Sequence, residues 1–198
     1  TSRRQRQMCI RDRYTETCQV VVRADSDIQS IEDLHGRTVS IGAEESGSEQ
    51  NARQILSAYG LNDKMVSMVS LNYEDAAAQL KAGRVDAIFM TVGAPSPVLT
   101  ALAGECGIRL LNVDGAAAQR LQSAYSAYSG VTLPAGTYPG QTEKVQTVGV
   151  KAVLLASNAL PAKQVQQLTQ LLFSSREGLE EQLGIPLDPE ENAVEGVD

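Results

Sequence analysis

Residues 40–56 read SIGAEESGSEQNARQIL. A β-branched run ends at Gly42 and a helical pattern starts soon after, so Ser46 and Ser48 stand at a helix N-terminus. The first backbone N–H groups of a helix lack intrahelical acceptors and favour negative charge. Two serine hydroxyls beside the N–H groups of residues 47–50, with Gly47 giving close backbone access, make a donor set suited to a carboxylate. The same residues also fit helix capping, with Ser46 or Ser48 as N-cap and Glu49 complementing the dipole. The two roles are compatible. Glu44 and Glu45 argue against a dianionic ligand, whereas the amine of an amino acid can meet a carboxylate. Asn51, on the same helix start, completes this candidate set.

A second candidate stretch is TVGAPSP (91–97), where Thr91 and Gly93 end an apolar strand. Gly93 lets backbone approach a ligand closely, or it makes a tight strand-to-helix turn. Tyr138, in AGTYPG, offers a cleft an aromatic wall or a hydroxyl, or packs locally in its turn. Covalent chemistry has little support. There is no Gly-x-Ser-x-Gly elbow and no phosphate-binding loop with Gly-Lys-Ser/Thr. The single histidine, His35, sits in a polar turn and offers no base for a nucleophile. Carboxylate pairs such as Glu44–Glu45 and Glu180–Glu181 read as solvated charge. Cys9, Cys18 and Cys106 have no metal-ligand spacing, so neither a metal nor a cofactor is indicated.

Composition bounds the remaining classes. The 198 residues carry a formal charge of −7, which disfavours non-specific binding to nucleic acid or anionic membrane. With no tryptophan and 4% aromatic residues, base-stacking platforms are not indicated. No apolar run approaches the roughly 18 residues of a membrane-spanning helix. Residues 1–13 stand apart, with Arg3, Arg4, Arg6, Arg11 and Arg13 against Asp12. No apolar stretch of secretion-signal length follows them, so they are not a secretion signal; they read as a non-native basic segment, with a basic arm as the alternative, and are set aside from the fold.

The elements that must position the candidates follow from periodicity. Strands are expected at 19–26, 38–42, 65–71, 85–92 and 108–113, and an extended run at 145–157. Helices are expected at 48–61, 72–84, 95–105, 115–128 and 161–183, with a single helical turn within 28–37. Asn72 caps the second of these and Gly60 closes the first. Strands alternating with helices imply βαβ units around a parallel sheet, whose ligands sit at the carboxyl ends of strands. Loops 42–50 and 91–96 meet that condition. The extended runs near 19–26 and 145–157 flank the compact block, as the connectors of a hinge do.

The segments SIEDLHGRTVSIGAEESGSEQNARQIL, AAAQLKAGRVDAIFMTVGAPSPVLTAL, LPAGTYPGQ and TVGVKAVLLASNALP resemble the TAXI family of solute-binding proteins, over roughly residues 19–197. These are the extracytoplasmic receptors of tripartite ATP-independent periplasmic (TRAP) transporters. The resemblance implies an α/β, type II periplasmic-binding-protein-like fold of two lobes with a hinge, and a receptor that does no covalent chemistry. The implied ligand is a small organic acid or amino acid, glutamate-like or a dicarboxylate. The implied partners are the transporter's membrane subunits, with no nucleic acid, and the implied location is periplasmic or extracytoplasmic, free or lipid-anchored. In the family the loop usually reads Gly, any residue, Pro, Gly, Ser, Gly, Thr. Gly42, Ser46 and Gly47 match, Ser48 stands for Thr, and Glu44 and Glu45 replace Pro and Gly. The family also carries a signal peptide and half of the first lobe ahead of these segments and a further tail after them, so the chain resembles an internal fragment. Its expected parts are a lobe-1 remnant and hinge strand at 14–35, a complete lobe 2 at 36–130, and a return hinge with the rest of lobe 1 at 131–198. A missing half-lobe would leave strands 19–25 and 145–157 without neighbours. The other class with this two-lobed fold is the cytoplasmic sensor domain of a transcriptional regulator.

Overall fold

The computed structural model describes residues 7–10, 15–152, 154–157, 159–174 and 194–197. In chain order the elements are β1 (Gln7–Ile10), β2 (Thr15–Arg23), β3 (Thr38–Ser40), α1 (Gly47–Ala58), β4 (Ser67–Val69), α2 (Tyr73–Lys81), β5 (Ala87–Val92), α3 (Pro97–Cys106), β6 (Ile108–Leu111), α4 (Gly115–Ala124), β7 (Tyr128–Leu133), β8 (Val145–Lys151), β9 (Leu154–Ser157), α5 (Ala162–Ser174) and β10 (Val194–Val197). A short 3-10 turn, Glu32–Leu34, stands where a helical turn was expected. No helix among the described residues is long and apolar enough to cross a membrane.

Two compact units result, one of Glu16–Val150 and one of Thr1–Thr15 with Lys151–Asp198. In the second unit β1 is the middle strand of a three-stranded antiparallel sheet, with Gln7 opposite Ser157 of β9 and Val197 of β10. Residues 7–10, set aside with the basic segment on sequence, are therefore paired strand. The rest of residues 1–13 and the expected helix beyond Ser174 lie outside the described residues.

The larger unit is built on a sheet of order β4-β3-β5-β2-β8-β7, with β6 also paired to β2. β3 runs parallel to β4 and β5. The expectation of a parallel sheet fails at β2, which is antiparallel to β5 (Cys18 opposite Thr91) and to β6 (Val20 opposite Leu111). Val20, Val21 and Val22 are each 0% exposed, so both faces of the strand are covered and periodicity carries no sign of its direction. β2 and β8 have strand neighbours, in contrast to the expected open edges. Through these pairings residues 16–35 and 131–150 share one sheet and one unit with 36–130.

One core lies between this sheet and α1 and α4, where Val20, Val22, Ile55, Leu56 and Leu121 meet. The opposite face packs Val21 and Ile88 against Leu80 of α2 and Leu99 of α3. Full burial of each such aliphatic side chain contributes about 1.5–3 kcal/mol. On α1 the buried positions Ala52, Ile55 and Leu56 follow the helical period, and the helix is closed as expected at Gly60, whose φ of 77° lies in the left-handed region. The Gly60 and Leu61 N–H groups donate to Ser57 and Leu56 carbonyls, which satisfies the last turn. α2 begins at Asn72, whose side chain accepts from the Asp75 N–H, and this cap fixes Tyr73 at the first helical position.

Candidate functional site

The loop from β3 into α1 folds back tightly on the helix it feeds. Gly42 has φ 99°, and a Cβ there would lie 2.7 Å from the Ser48 Cβ and 3.1 Å from the Glu49 nitrogen. Only glycine accepts both the conformation and the approach. Ser46 then caps α1, its hydroxyl accepting from the Glu49 N–H at 3.1 Å. The Gln50 N–H reaches the Ser46 carbonyl. The N–H groups of Gly47 and Ser48 have no hydrogen-bond partner among the described residues.

Glu45 holds φ 60°, the left-handed region, at the position where the TAXI-like loop has glycine. Its N–H donates to Glu49 Oε2 at 2.8 Å, while Arg53 grips Glu49 Oε1 at 2.9 and 3.0 Å. The Arg53 hydrogen bonds, with that backbone N–H, hold the Glu49 carboxyl below its ordinary value. Replacing Glu45 with glycine removes the backbone strain and is expected to stabilise the chain by about 1 kcal/mol. A rise in the thermal midpoint of Glu45→Gly, with Glu45→Ala unchanged or lower, checks this.

A cavity of about 470 Å³ opens at the start of α1, within the larger unit. Of the residues singled out on sequence, Ser46, Gly47, Ser48, Asn51 and Thr91 line it. Glu49 does not; its carboxylate is taken up by the Glu45 N–H and by Arg53. Gly93 is buried beyond the end of β5 and outside the lining. Tyr138 is 1% exposed and also outside it. Its hydroxyl donates to Gln19 Oε1 and accepts from the Ser96 N–H at 2.9 Å, so it is a core tyrosine that ties β2 to the start of α3.

The sequence reading missed Gln50, Gln54, Tyr73, Tyr125 and Tyr128, which complete the wall together with Glu16, Ala127 and Val150. A signal for two of them existed. Gly47, Gln50, Asn51 and Gln54 recur at helical spacing and form a stripe free of bulky apolar residues. The tyrosines come from three other elements and share no local pattern. Tyr125 and Tyr128 pack edge to face, with ring centroids 6.2 Å apart.

Beneath the cavity the polar groups interlock. The Thr91 N–H donates to Ser48 Oγ at 3.1 Å, the Tyr73 hydroxyl donates to the Thr91 carbonyl at 2.9 Å, and Ser48 Oγ lies 2.6 Å from the Tyr73 hydroxyl. Asn51 Nδ2 donates to Thr91 Oγ1 at 3.1 Å, and the Tyr128 hydroxyl lies within donating distance of both Asn51 Oδ1, at 2.7 Å, and Gln54 Oε1, at 2.6 Å. Burial pushes the Tyr73 and Tyr128 phenols up, so both stay protonated at neutral pH. Cys18, behind Thr91, is pushed up to about 11 by burial and is a thiol rather than a nucleophile. Among the described residues no group of three or more His, Cys, Asp or Glu could hold a metal ion. Among the described residues Glu16 is the one charged side chain in the lining, so an acid here meets backbone N–H groups and amides.

Solved structures with the same fold include a periplasmic sulphonate-binding protein and an arginine-binding protein. The aliphatic sulphonate binding protein SsuA from Escherichia coli superposes with a TM-score of 0.53 at 20% identity, over 91% of this chain and 52% of that one. An ancestral arginine-binding protein bound to arginine gives 0.51 at 16% identity, over 88% and 63%. The alkanesulfonate-binding protein SsuA from Xanthomonas axonopodis pv. citri, bound to MOPS, gives 0.50 at 20% identity, over 90% and 56%. The chain thus spans less than two thirds of each of these structures, and what they share with it is the α/β, type II periplasmic-binding-protein-like fold. The sequence adds family membership to that likeness: the model of the NMT1-like family matches residues 6–194, so the chain belongs to the NMT1-like family.

Proposed function

We propose that the chain carries the ligand-contacting part of an extracytoplasmic solute receptor that captures a small organic acid or amino acid without covalent chemistry. Delivery to the membrane subunits of a TRAP transporter follows from the resemblance to the TAXI receptors. The observation that carries the proposal is the pair of N–H groups on Gly47 and Ser48, unpartnered among the described residues, at the mouth of a 470 Å³ cavity. A desolvated acid group needs several donors, and a helix start supplies them already oriented. The solved neighbours named for binding a sulphonate or arginine support a small charged solute.

Gly47→Pro tests the donor role with little structural cost. Proline suits the first helical position, and Ser46 already has the extended backbone (φ −82°, ψ 158°) that a following proline requires. A Cβ at position 47 meets nothing within 4 Å. The substitution deletes one N–H aimed at the ligand, and a bond to a charged group contributes about 1.5–3 kcal/mol. Calorimetric titration with short carboxylates, sulphonates and amino acids is expected to show affinity lower by about tenfold to a hundredfold, with the thermal midpoint kept. Unchanged affinity in Gly47→Pro removes the helix start from the site.

A further inference from the structure

The ring of hydrogen bonds under the cavity fixes where its hydrogens point. A phenol has one hydrogen, and a backbone carbonyl can only accept. At 2.9 Å the Thr91 carbonyl therefore takes the Tyr73 hydrogen. The 2.6 Å contact between Ser48 and Tyr73 must then use the serine hydrogen, with Ser48 donating to the phenol oxygen. The Thr91 N–H closes the ring onto Ser48 Oγ. Each hydrogen in the ring is consumed inside it, and a closed ring strengthens its own members. What Ser48 still offers the cavity is a lone pair.

Tyr128 repeats the pattern. Its hydroxyl lies 2.7 Å from Asn51 Oδ1 and 2.6 Å from Gln54 Oε1, and its one hydrogen serves only one of them. Whichever carbonyl takes it, the phenol keeps no hydrogen for a ligand. The cavity thus sets backbone donors at the start of α1 beside two hydroxyl oxygens, of Ser48 and Tyr128, that can only accept, while the amides of Gln50 and Gln54 carry N–H donors in the same lining. The Glu16 carboxylate borders the same space.

We propose that Tyr73 is a specificity-determining residue: by holding the Ser48 hydrogen it leaves the Ser48 hydroxyl an acceptor, which selects a ligand bearing an ammonium group beside its acid over the bare acid. The proposal rests on the receptor reading above and refines its ligand class. A serine released from Tyr73 can rotate its hydrogen into the cavity and donate to a carboxylate. The conservative change Tyr73→Phe does this without removing the ring, while Ser48→Ala removes donor and acceptor together.

The test uses the full chain and matched probes: glutamate with glutarate, aspartate with succinate, and 4-aminobutyrate with butyrate, by calorimetric titration. In the unsubstituted protein the ammonium-bearing member of at least one pair is expected to bind tenfold or more tightly. In Tyr73→Phe that ratio is expected to fall to within about threefold, through tighter binding of the bare acid. In Ser48→Ala the ratio falls as well, but the bare acid binds no more tightly. Equal binding within every pair, or a ratio unchanged in Tyr73→Phe, overturns the inference and leaves the receptor reading standing. Binding that Gly47→Pro does not weaken, or no binding by any probe, overturns the receptor reading itself and this inference with it.

Discussion

Gly42→Ala is expected to destabilise the chain by about 3 kcal/mol and to abolish ligand capture. The estimate combines the cost of a non-glycine residue in a left-handed conformation, about 1–3 kcal/mol, with that of displacing neighbouring atoms. At φ 99° the new Cβ would sit 2.7 Å from the Ser48 Cβ, which belongs to the first turn of α1 and has no flexible end to swing away. Relief requires moving the helix start, and with it the Gly47 and Ser48 N–H groups. For a chain of this size the thermal midpoint should fall by roughly 6–12 °C. Calorimetric melting with and without ligand measures both effects. A variant that melts normally and still binds would mean the loop is softer than its geometry indicates.

Tyr138→Phe is expected to cost nearly as much stability and no affinity. The phenol is 1% exposed and serves two buried partners, accepting from the Ser96 N–H and donating to Gln19 Oε1. Phenylalanine fills the space but leaves a buried donor and a buried acceptor unpaired, each worth about 1–3 kcal/mol. A loss of about 3 kcal/mol in denaturant unfolding, with unchanged ligand affinity at temperatures where the protein is folded, is the expected pattern. A selective loss of affinity would return Tyr138 to the binding site.

The contrast between these residues shows what the sequence could carry. Ser46 and Asn72 were legible as helix caps because capping is local: each side chain serves an N–H three residues on. Gly42 and Gly60 were legible because glycine at an element boundary has few other uses. The direction of β2 was not legible, since a run of valines buried on both faces looks alike in parallel and antiparallel sheets. β7 was read as the end of a helix and a loop. Its first residues, Tyr128 and Ser129, continue a stretch of helix formers, and only pairing with β8 makes it a strand. Tyr138 looked like a turn residue free to reach a cleft, but its partner Gln19 lies 119 positions away. The Ser48, Tyr73 and Thr91 ring likewise depends on separations of 25, 18 and 43 residues that no motif encodes.

β2 enters the larger unit first and is completed last. Its partners are β5 at residues 87–92, β6 at 108–111 and β8, and Thr147 reaches back 129 positions to donate to the Cys18 carbonyl. The sheet therefore cannot close until nearly all of residues 16–150 have left the ribosome, about 10 s or more at ordinary rates of synthesis. Until β5 and β6 emerge the valines of β2 are exposed hydrophobic strand, the kind of segment a holding chaperone binds. Closing such long loops before any reward also slows the search itself. A chain built in this order can pair β3, β4 and β5 early, and it leaves the β2–β8 seam to close last.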